Sequence, residues 1–230
     1  MNFKIVLVGF CILRWTVILV FSFKSLEGNL SHSDIGERCI FKNLFSLIQV
    51  DVPPRAFHCS FCGKCMLKRV HHCFLTGSCI GFYNHRHFVT FCLWSSIGSV
   101  YCMYLQLSFL NMDLPLNTTN FITYIPPVTL HQLIMGNITI GQACVVAHFF
   151  VCAPVFLVAL FFFFWHLLFV FEGVTKYEAY HNQFAYKRSK LENINSVFGS
   201  LLYIPLLIIF PFKLPQSGDG IQWKQRVKGN

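Results

Sequence analysis

Charged residues are scarce in this chain. Asp, Glu, Lys and Arg make up 12% of the 230 residues, whereas they make up about a quarter of a typical soluble domain. Hydrophobic residues make up 55% and are concentrated in long runs. This composition excludes an ordinary soluble domain. It predicts an α-helical multi-pass membrane protein.

Positive charge is missing altogether from residues 87–171, because all 18 Lys and Arg lie before or after that stretch. Basic residues accumulate on the cytosolic side of membrane proteins. We therefore expect both flanks to face the cytosol and the middle to face the lumen or exterior. The formal net charge of +9 then favours contact with the cytosolic leaflet of a lipid bilayer and not with nucleic acid.

Three apolar runs are long enough to cross a bilayer, and we predict transmembrane helices over residues 3–23, 88–110 and 142–171. A signal peptide is the alternative for the first run, but no small-residue cleavage site follows it. The third run exceeds one bilayer thickness, so we expect tilt or a kink at Pro154. We assign its two histidines, His148 and His166, to packing and not to a ligand role.

The remaining segments are assigned from the same topology. Residues 24–54 are a mixed linker in which 36–50 can lie at the membrane interface, and residues 55–87 form a cysteine-rich domain. Residues 111–141 form a lumenal loop with glycosylation sequons at Asn117 and Asn137. Residues 172–230 form a cytosolic tail in which 201–212 are too short and too Pro-broken to cross the membrane, which indicates an interfacial segment.

The cysteine-rich stretch has the composition of a metal site. Five of the eleven cysteines fall within 21 residues, accompanied by three histidines: Cys59, Cys62, Cys65, Cys73, Cys79, His58, His71 and His72. Thiolates and imidazoles at such short gaps are typical of tetrahedral Zn²⁺ sites. In a reducing cytosol these cysteines are expected to bind metal or to react, and not to form disulfides.

One thiol remains after a four-ligand site is filled. Cys59, Cys62, His72 and Cys79 satisfy one tetrahedral zinc, which leaves Cys73 next but one to His71. A thiol beside an imidazole is how a cysteine nucleophile is made, and nearby cations favour its thiolate. Lys68 and Arg69 supply positive charge just upstream. Cys73 is therefore the candidate nucleophile.

These residues resemble the DHHC-type protein S-acyltransferases, the palmitoyltransferases. The family signature is matched in register by Arg55, Ala56, His58, Cys59, Cys62, Cys65, His71, His72, Cys73, Cys79, Asn84 and Phe88. Two weaker similarities follow the last span. Thr175 to Glu178 resemble the family's Thr-Thr-x-Glu motif, and Asn193 to Gly199 resemble its Asn-x3-Val-Phe-Gly element.

The chain departs from the family pattern in three places. Val70 replaces the aspartate of Asp-His-His-Cys, and the upstream C-x2-C pair, which would fall near Phe45 and Ile48, is missing. The resemblance assigns His58 and Cys65 to a second zinc site that this pair would complete, so we expect one zinc and regard a second as doubtful. The family also has two spans before its cysteine-rich domain. Here one precedes it, so either the amino terminus is lumenal or a first span is absent.

The resemblance implies the reaction and the role of each residue. A long-chain acyl group, such as palmitoyl, passes from acyl-CoA to Cys73 and then to cysteines of membrane or membrane-associated proteins. His71 is the general base, and Thr175, Glu178 and Asn193 support the site. The basic side chains of Arg55, Lys68 and Arg69, together with Lys64, attract the anionic coenzyme. An endoplasmic reticulum or Golgi membrane is the expected location.

Two other functions compete with this one. Val70 cannot orient or stabilise the His71 imidazole as a carboxylate does, which favours a catalytically weakened enzyme or an inactive membrane adaptor that retains the zinc knuckle. The retained Cys73 favours the enzyme. A zinc-knuckle nucleic-acid binder is disfavoured, because apolar spans surround the knuckle and exposed aromatic platforms for bases are lacking.

Overall fold

The computed structural model describes residues 52–113, 121–205 and 217–225. The predicted helix 3–23 lies outside the described residues, as do most of the 24–54 linker, the sequon at Asn117 and the second half of the 201–212 segment. The described chain begins with two small β-hairpins and continues as helices.

The hairpins occupy the cysteine-rich stretch. Strand β1 (Phe57–Cys59) pairs antiparallel with β2 (Lys64–Met66), and β3 (His71–Cys73) pairs antiparallel with β4 (Ser78–Ile80). Gly63 (φ 60°) and Gly77 (φ 65°) adopt the left-handed backbone conformation in the two connecting turns, which glycine adopts without strain. A hairpin of three-residue strands is marginal in water, so these need further support from packing or a metal.

Two long helices follow. Helix α1 (His85–Asp113) has 29 residues and helix α3 (Ile140–Glu172) has 33. By length and composition both are apolar enough to cross a membrane. Helix α1 extends three residues beyond each end of the predicted span 88–110. Helix α3 begins two residues before the predicted span 142–171 and ends one residue after it. Pro154 lies inside α3, and the helix continues past it.

The exposure of these helices is the reverse of that in a soluble protein. Helix α1 buries polar side chains while it exposes apolar ones such as Ile97, Tyr101 and Tyr104; the buried polar residues are Thr90, Ser95, Ser96, Ser99 and Gln106. Helix α3 exposes large apolar side chains along its length, including Phe150, Val158, Phe161, Phe164 and Leu168. Small polar groups inside and apolar groups outside are typical of helices that face lipid.

Shorter helices occupy both connecting regions. Between the long helices lie a 3-10 turn (Phe121–Tyr124) and helix α2 (Pro126–Ile134), so this part of the predicted loop 111–141 is helical and not irregular. Two prolines start α2, where the missing N–H costs nothing. After α3 come α4 (Lys176–Tyr180), α5 (Lys190–Phe198) and a 3-10 turn (Leu201–Tyr203).

The chain divides into two compact units. Among the described residues, one unit comprises 92–162, and its core joins Phe109 and Leu110 to Val146. The other comprises 52–91 and 163–225. Its core joins Val89 to residues of α3 and α5, namely Val170, Val197 and Phe198. All the candidate site residues belong to this second unit.

Candidate metal centre and thiol site

Strand alternation separates the roles of neighbouring residues. Successive side chains on a strand point to opposite faces, so His72 lies on one face of β3 while His71 and Cys73 lie on the other. His72 is paired across the hairpin with Cys79. Because the pair shares a face, two candidate metal ligands are brought together by strand pairing alone.

Four ligand atoms converge at the first candidate zinc site. The side chains of Cys59, Cys62, His72 and Cys79 present atoms that all lie within 4.8 Å of one another. His72 Nδ1 is 3.6 Å from Cys59 Sγ, 3.3 Å from Cys62 Sγ and 3.7 Å from Cys79 Sγ. Ligands at Zn–S and Zn–N distances of roughly 2.0–2.3 Å stand about 3.5–3.8 Å apart in a tetrahedron. This cluster could therefore hold a Zn²⁺ ion.

Burial holds the proton on one thiol of the cluster. Burial, and next the neighbouring Cys59 thiol, raise the pKa of Cys79 to about 12. A buried thiol of this kind ionises when a metal replaces its proton. The guanidinium of Arg69 donates to Cys59 Sγ over 3.7 Å and supplies part of the positive charge.

The second candidate site contains one cross-strand pair. His58 and Cys65 face each other across β1 and β2, with Cys65 Sγ 3.5 Å from His58 Nδ1. The described residues contain a single group of three or more ligands, which is the four-residue cluster above.

The candidate nucleophile and its histidine lie on the other face of β3. Cys73 is buried, with 9% of its surface exposed, and its carbonyl accepts a hydrogen bond from Thr76 Oγ1. The ring of His71 packs against Phe88, with a centroid distance of 5.3 Å. Burial, followed by the charges of Lys176 and Arg69, lowers the pKa of His71 to about 4. A neutral imidazole near pH 7 retains the lone pair that a base requires.

Two of the basic residues expected to attract a coenzyme, Arg55 and Lys68, have other partners. Arg55 is buried, and its Nη2 donates to Glu178 Oε2 at 2.7 Å and to the Gly173 carbonyl at 2.9 Å. Lys68 is 4% exposed, and its Nζ lies 5.3 Å from the centre of the Trp223 ring. Since both cations are inside the unit, they are not surface anchors for an anion. The sequence shows charge, but it does not show which charges are buried.

The Thr-x-x-Glu motif joins the tail to the first hairpin region. Thr175 and Glu178 form a capping box at the start of α4: Thr175 Oγ1 accepts from the Glu178 N–H, and Glu178 Oε2 accepts from the Thr175 N–H at 2.7 Å. The same Glu178 oxygen accepts from Arg55. This buried ion pair, 123 residues apart in sequence, is strongly sensitive to loss of either partner.

Asn193 joins α5 to the end of α3 by hydrogen bonds. Its Nδ2 donates to the carbonyls of Phe171, at 2.9 Å, and Arg188, at 3.2 Å. Phe171 is in the last turn of α3, where carbonyls lack helical partners. Gly173 (φ 66°) lies so close that a Cβ there would overlap the Asn193 amide. Asn193 is therefore a structural support of the site.

Three residues near the site were missed or given a minor role in the sequence analysis. His85 Nε2 hydrogen-bonds His166 Nδ1 at 2.9 Å, and both rings are buried. Trp223 also stacks over Arg55, with the guanidinium 4.6 Å from its ring centre. No sequence signal links positions 81 residues apart.

Comparison with known proteins is consistent with this geometry. The sequence model of the family described as DHHC palmitoyltransferase matches residues 40–183, which is more than half of the chain. The chain belongs to this family. The match includes both hairpins, both long helices and the Thr-x-x-Glu motif. Families of this kind are membrane proteins with a zinc-binding cysteine-rich domain, which agrees with the cluster and the two apolar helices.

Individual relatives resemble the chain over most of its length. Mouse "Palmitoyltransferase ZDHHC22" is 27% identical over 158 residues, covering 68% of this chain and 60% of that protein. The Danio rerio protein of the same name is 30% identical over 156 residues, covering 66% and 56%. Rat "Probable palmitoyltransferase ZDHHC24" is 27% identical over 177 residues, covering 76% and 62%. The chain thus spans about 60% of the length of the curated relatives that it matches.

Proposed function

We propose that this chain transfers a long-chain acyl group, such as palmitoyl, from acyl-CoA to cysteine thiols of other proteins through an acyl-enzyme on Cys73. The observation that carries the proposal is the alternation of β3, which gives His72 to the metal cluster and leaves His71 and Cys73 together on the opposite face. Membership of the DHHC palmitoyltransferase family supports the same reaction.

The first half-reaction makes the acyl-enzyme. His71 accepts the proton of the Cys73 thiol, and the thiolate attacks the carbonyl carbon of the acyl-CoA thioester. The bond from that carbon to the coenzyme sulfur breaks, and the coenzyme thiolate takes up a proton. In the second half-reaction the thiolate of a target cysteine attacks the acyl group, and Cys73 is released. Each step exchanges one thioester for another, so no oxidant or energy source is needed.

Zinc would be held by Cys59, Cys62, His72 and Cys79, and its contribution is structural. Four protein ligands leave no open coordination position, so the ion orders the hairpin that carries the thiol. Among the described residues, His58 and Cys65 supply two ligands, and two ligands do not complete a second tetrahedral site. Thr175, Glu178 and Asn193 hold the tail and the end of α3 in place around the same unit.

The proposed setting is a multi-pass protein of the endoplasmic reticulum or Golgi membrane, with the cysteine-rich domain in the cytosol. The exposed apolar faces of α1 and α3 support insertion in a bilayer. The absence of Lys and Arg from residues 87–171 supports this orientation. The partners are then acyl-CoA, lipid, and membrane or membrane-associated proteins with cytosolic cysteines.

The alternative is a membrane adaptor with a retained zinc knuckle and no turnover, and Val70 is the observation in its favour. Labelling of the purified full chain with palmitoyl-CoA separates the two functions. We expect a hydroxylamine-sensitive acyl group that is lost in Cys73→Ser and retained in Cys144→Ser, a control at an exposed free cysteine. His71→Ala should slow transfer to a thiol peptide by roughly 10²- to 10⁴-fold. Label that survives Cys73→Ser contradicts the enzyme and favours the adaptor.

A further inference from the structure

Three histidine rings meet beside the candidate thiol site. His71 comes from β3, His85 is the first residue of α1, and His166 lies near the end of α3. The His166 ring centre is 5.0 Å from that of His71, with the planes inclined at 56°. His166 is in turn hydrogen-bonded to His85 at 2.9 Å. The contacts form a chain from His85 through His166 to His71.

The two helical histidines are deeply buried. His166 is 1% exposed and His85 is 2% exposed. Phe88 fills the angle between the rings, with its centre 4.7 Å from His166 and 5.3 Å from His71. Burying imidazoles costs free energy that an aromatic hydrocarbon of the same size would avoid, and their mutual hydrogen bond recovers only part of that cost. If these two side chains had only a packing role, phenylalanine at both positions would give a more stable core.

The position of the contact suggests what the histidines do. The carboxylate that normally orients such a base is missing, because position 70 is a valine with 5% of its surface exposed. Val70 neither accepts a hydrogen bond nor stabilises an imidazolium. The ring of His166, whose rotation is restricted by the hydrogen bond to His85, instead abuts the ring of His71.

We propose that His166, held by His85, is a positioning residue that fixes the plane of the His71 ring in place of the missing carboxylate. The proposal rests on the proposed acyl transfer through Cys73. In that reaction the ring of His71 must face the Cys73 thiol to take its proton, and contact with the restrained ring of His166 holds the His71 ring in one orientation. In this role His166 acts through His71, and no proton needs to pass through His166.

The decisive experiment replaces His166 with phenylalanine, which keeps an aromatic ring at this position but has no ring nitrogen to hydrogen-bond His85. In His166→Phe, prepared as the full chain with its metal, the rate constant for acylation of Cys73 by palmitoyl-CoA should fall at least tenfold. The apparent KM should stay within about twofold of the wild-type value, since no binding group is removed. Zinc content should be unchanged. An acylation rate equal to wild type overturns the proposal.

A second variant separates positioning from packing. Val70→Asp supplies a carboxylate next to His71, so it should recover most of the lost rate in the His166→Phe background. In the wild-type background, where His166 already does this task, it should change the rate less than threefold. If Val70→Asp restores nothing to His166→Phe, the histidine acts only through packing and the proposal is wrong.

Phe169 provides a matched control for the loss of packing around His166. Phe169→Leu removes a ring that contacts His166 with a centroid distance of 6.2 Å; it should lower the melting temperature but leave the acylation rate unchanged.

If His166→Phe does not fold, the same pair of measurements on His85→Phe decides the matter, because the hydrogen bond is lost there too. A wild-type protein that forms no acyl-enzyme contradicts the proposed function itself, and is distinguished from these outcomes by the first measurement.

Discussion

Lys68 illustrates how burial changes what a residue can do. Its ammonium group is enclosed beneath Trp223 and close to Arg55, and burial, followed by the charge of Arg55, lowers its pKa from 10.5 to about 7. The folded protein therefore releases this proton more readily than the unfolded chain. Below about pH 7 both states carry the charge, and the folded state bears the full cost of burying it.

This gives a pH-dependent stability. Between about pH 7 and 10.5 the unfolded state binds more protons, so the contribution of Lys68 to stability rises with pH, by up to about 1.4 kcal/mol per pH unit. Lys68→Met should therefore be more stable than wild type at pH 6, and the difference should shrink towards pH 9. Melting temperatures in detergent across this range test the expectation. Lys64→Met, at an exposed lysine in β2, should show no such trend, and a difference independent of pH would contradict the argument.

At single residues, spacing predicts ligands better than it predicts charge partners. The cluster of Cys59, Cys62, His72 and Cys79 was proposed from the sequence because the gaps between its ligands are short, and in the structure strand pairing brings His72 and Cys79 together. Arg55 and Lys68 were expected to face a coenzyme, and they are buried because of partners far along the chain. Glu178, Trp223 and the His85–His166 pair depend on tertiary contacts that local spacing does not encode.

The hairpins are elements that need their metal. Three-residue strands provide few hydrogen bonds, so the free energy of metal binding contributes directly to folding of the hairpins. We expect about one zinc per purified chain, and Cys62→Ala should lose zinc and aggregate. Metal analysis by mass spectrometry measures the ratio, with Cys144→Ser as the control that keeps wild-type content. A chain without zinc, or unchanged zinc in Cys62→Ala, would refute the site.

The end of α3 depends on a glycine. At Gly173 the backbone is left-handed (φ 66°) and a Cβ would overlap Asn193, which donates to the Phe171 carbonyl in the last turn of the helix. Gly173→Ala should therefore destabilise the protein through both strain and the loss of this cap. Gly136→Ala is a matched control, because its φ is also positive (74°) but nothing lies within 4 Å of the added atom.

The control should lose only about 1 kcal/mol from backbone strain. Gly173→Ala should lose at least about 1–2 kcal/mol more, as for other disruptions of a cap or a close-packed contact. Thermal unfolding of the two variants in the same detergent measures the difference. Equal losses would mean that the Asn193 contact does not support the helix end.

At the level of elements, the long helices were the easiest to predict, because more than 20 apolar residues in succession leave few alternatives. The three-residue strands are too short to show a period of two, so their existence could not be deduced from hydrophobic patterning. Helix α2 was missed because its two prolines resemble a loop. They instead occupy the first turn, where proline is compatible with a helix.

For the whole molecule, the strongest constraint on topology is the distribution of charge. Residues 87–171 lack Lys and Arg and contain two sequons, at Asn117 and Asn137, so residues 111–139 are expected in the lumen. Cells expressing the wild type should yield a glycosidase-sensitive species that Asn117→Gln/Asn137→Gln lacks. Asn137 is exposed, as an acceptor must be. Cleavage of this region by protease added outside sealed microsomes would rule out the proposed orientation.

Because side chains alternate along the strand His71–Cys73, the proposed activity should depend on whether each molecule contains its metal ion. This affects any rate measured on a bulk sample. His72 is a candidate ligand, and its two covalent neighbours are the proposed base and nucleophile. If the proposed function is correct, a molecule without the ion would lose the positions of both neighbours at once. A partly metallated sample is therefore a mixture of competent and inert molecules, and not a uniform population of slow ones. In such a sample the amplitude of the first turnover would count the competent fraction, while the rate constant of that turnover would stay the same from batch to batch.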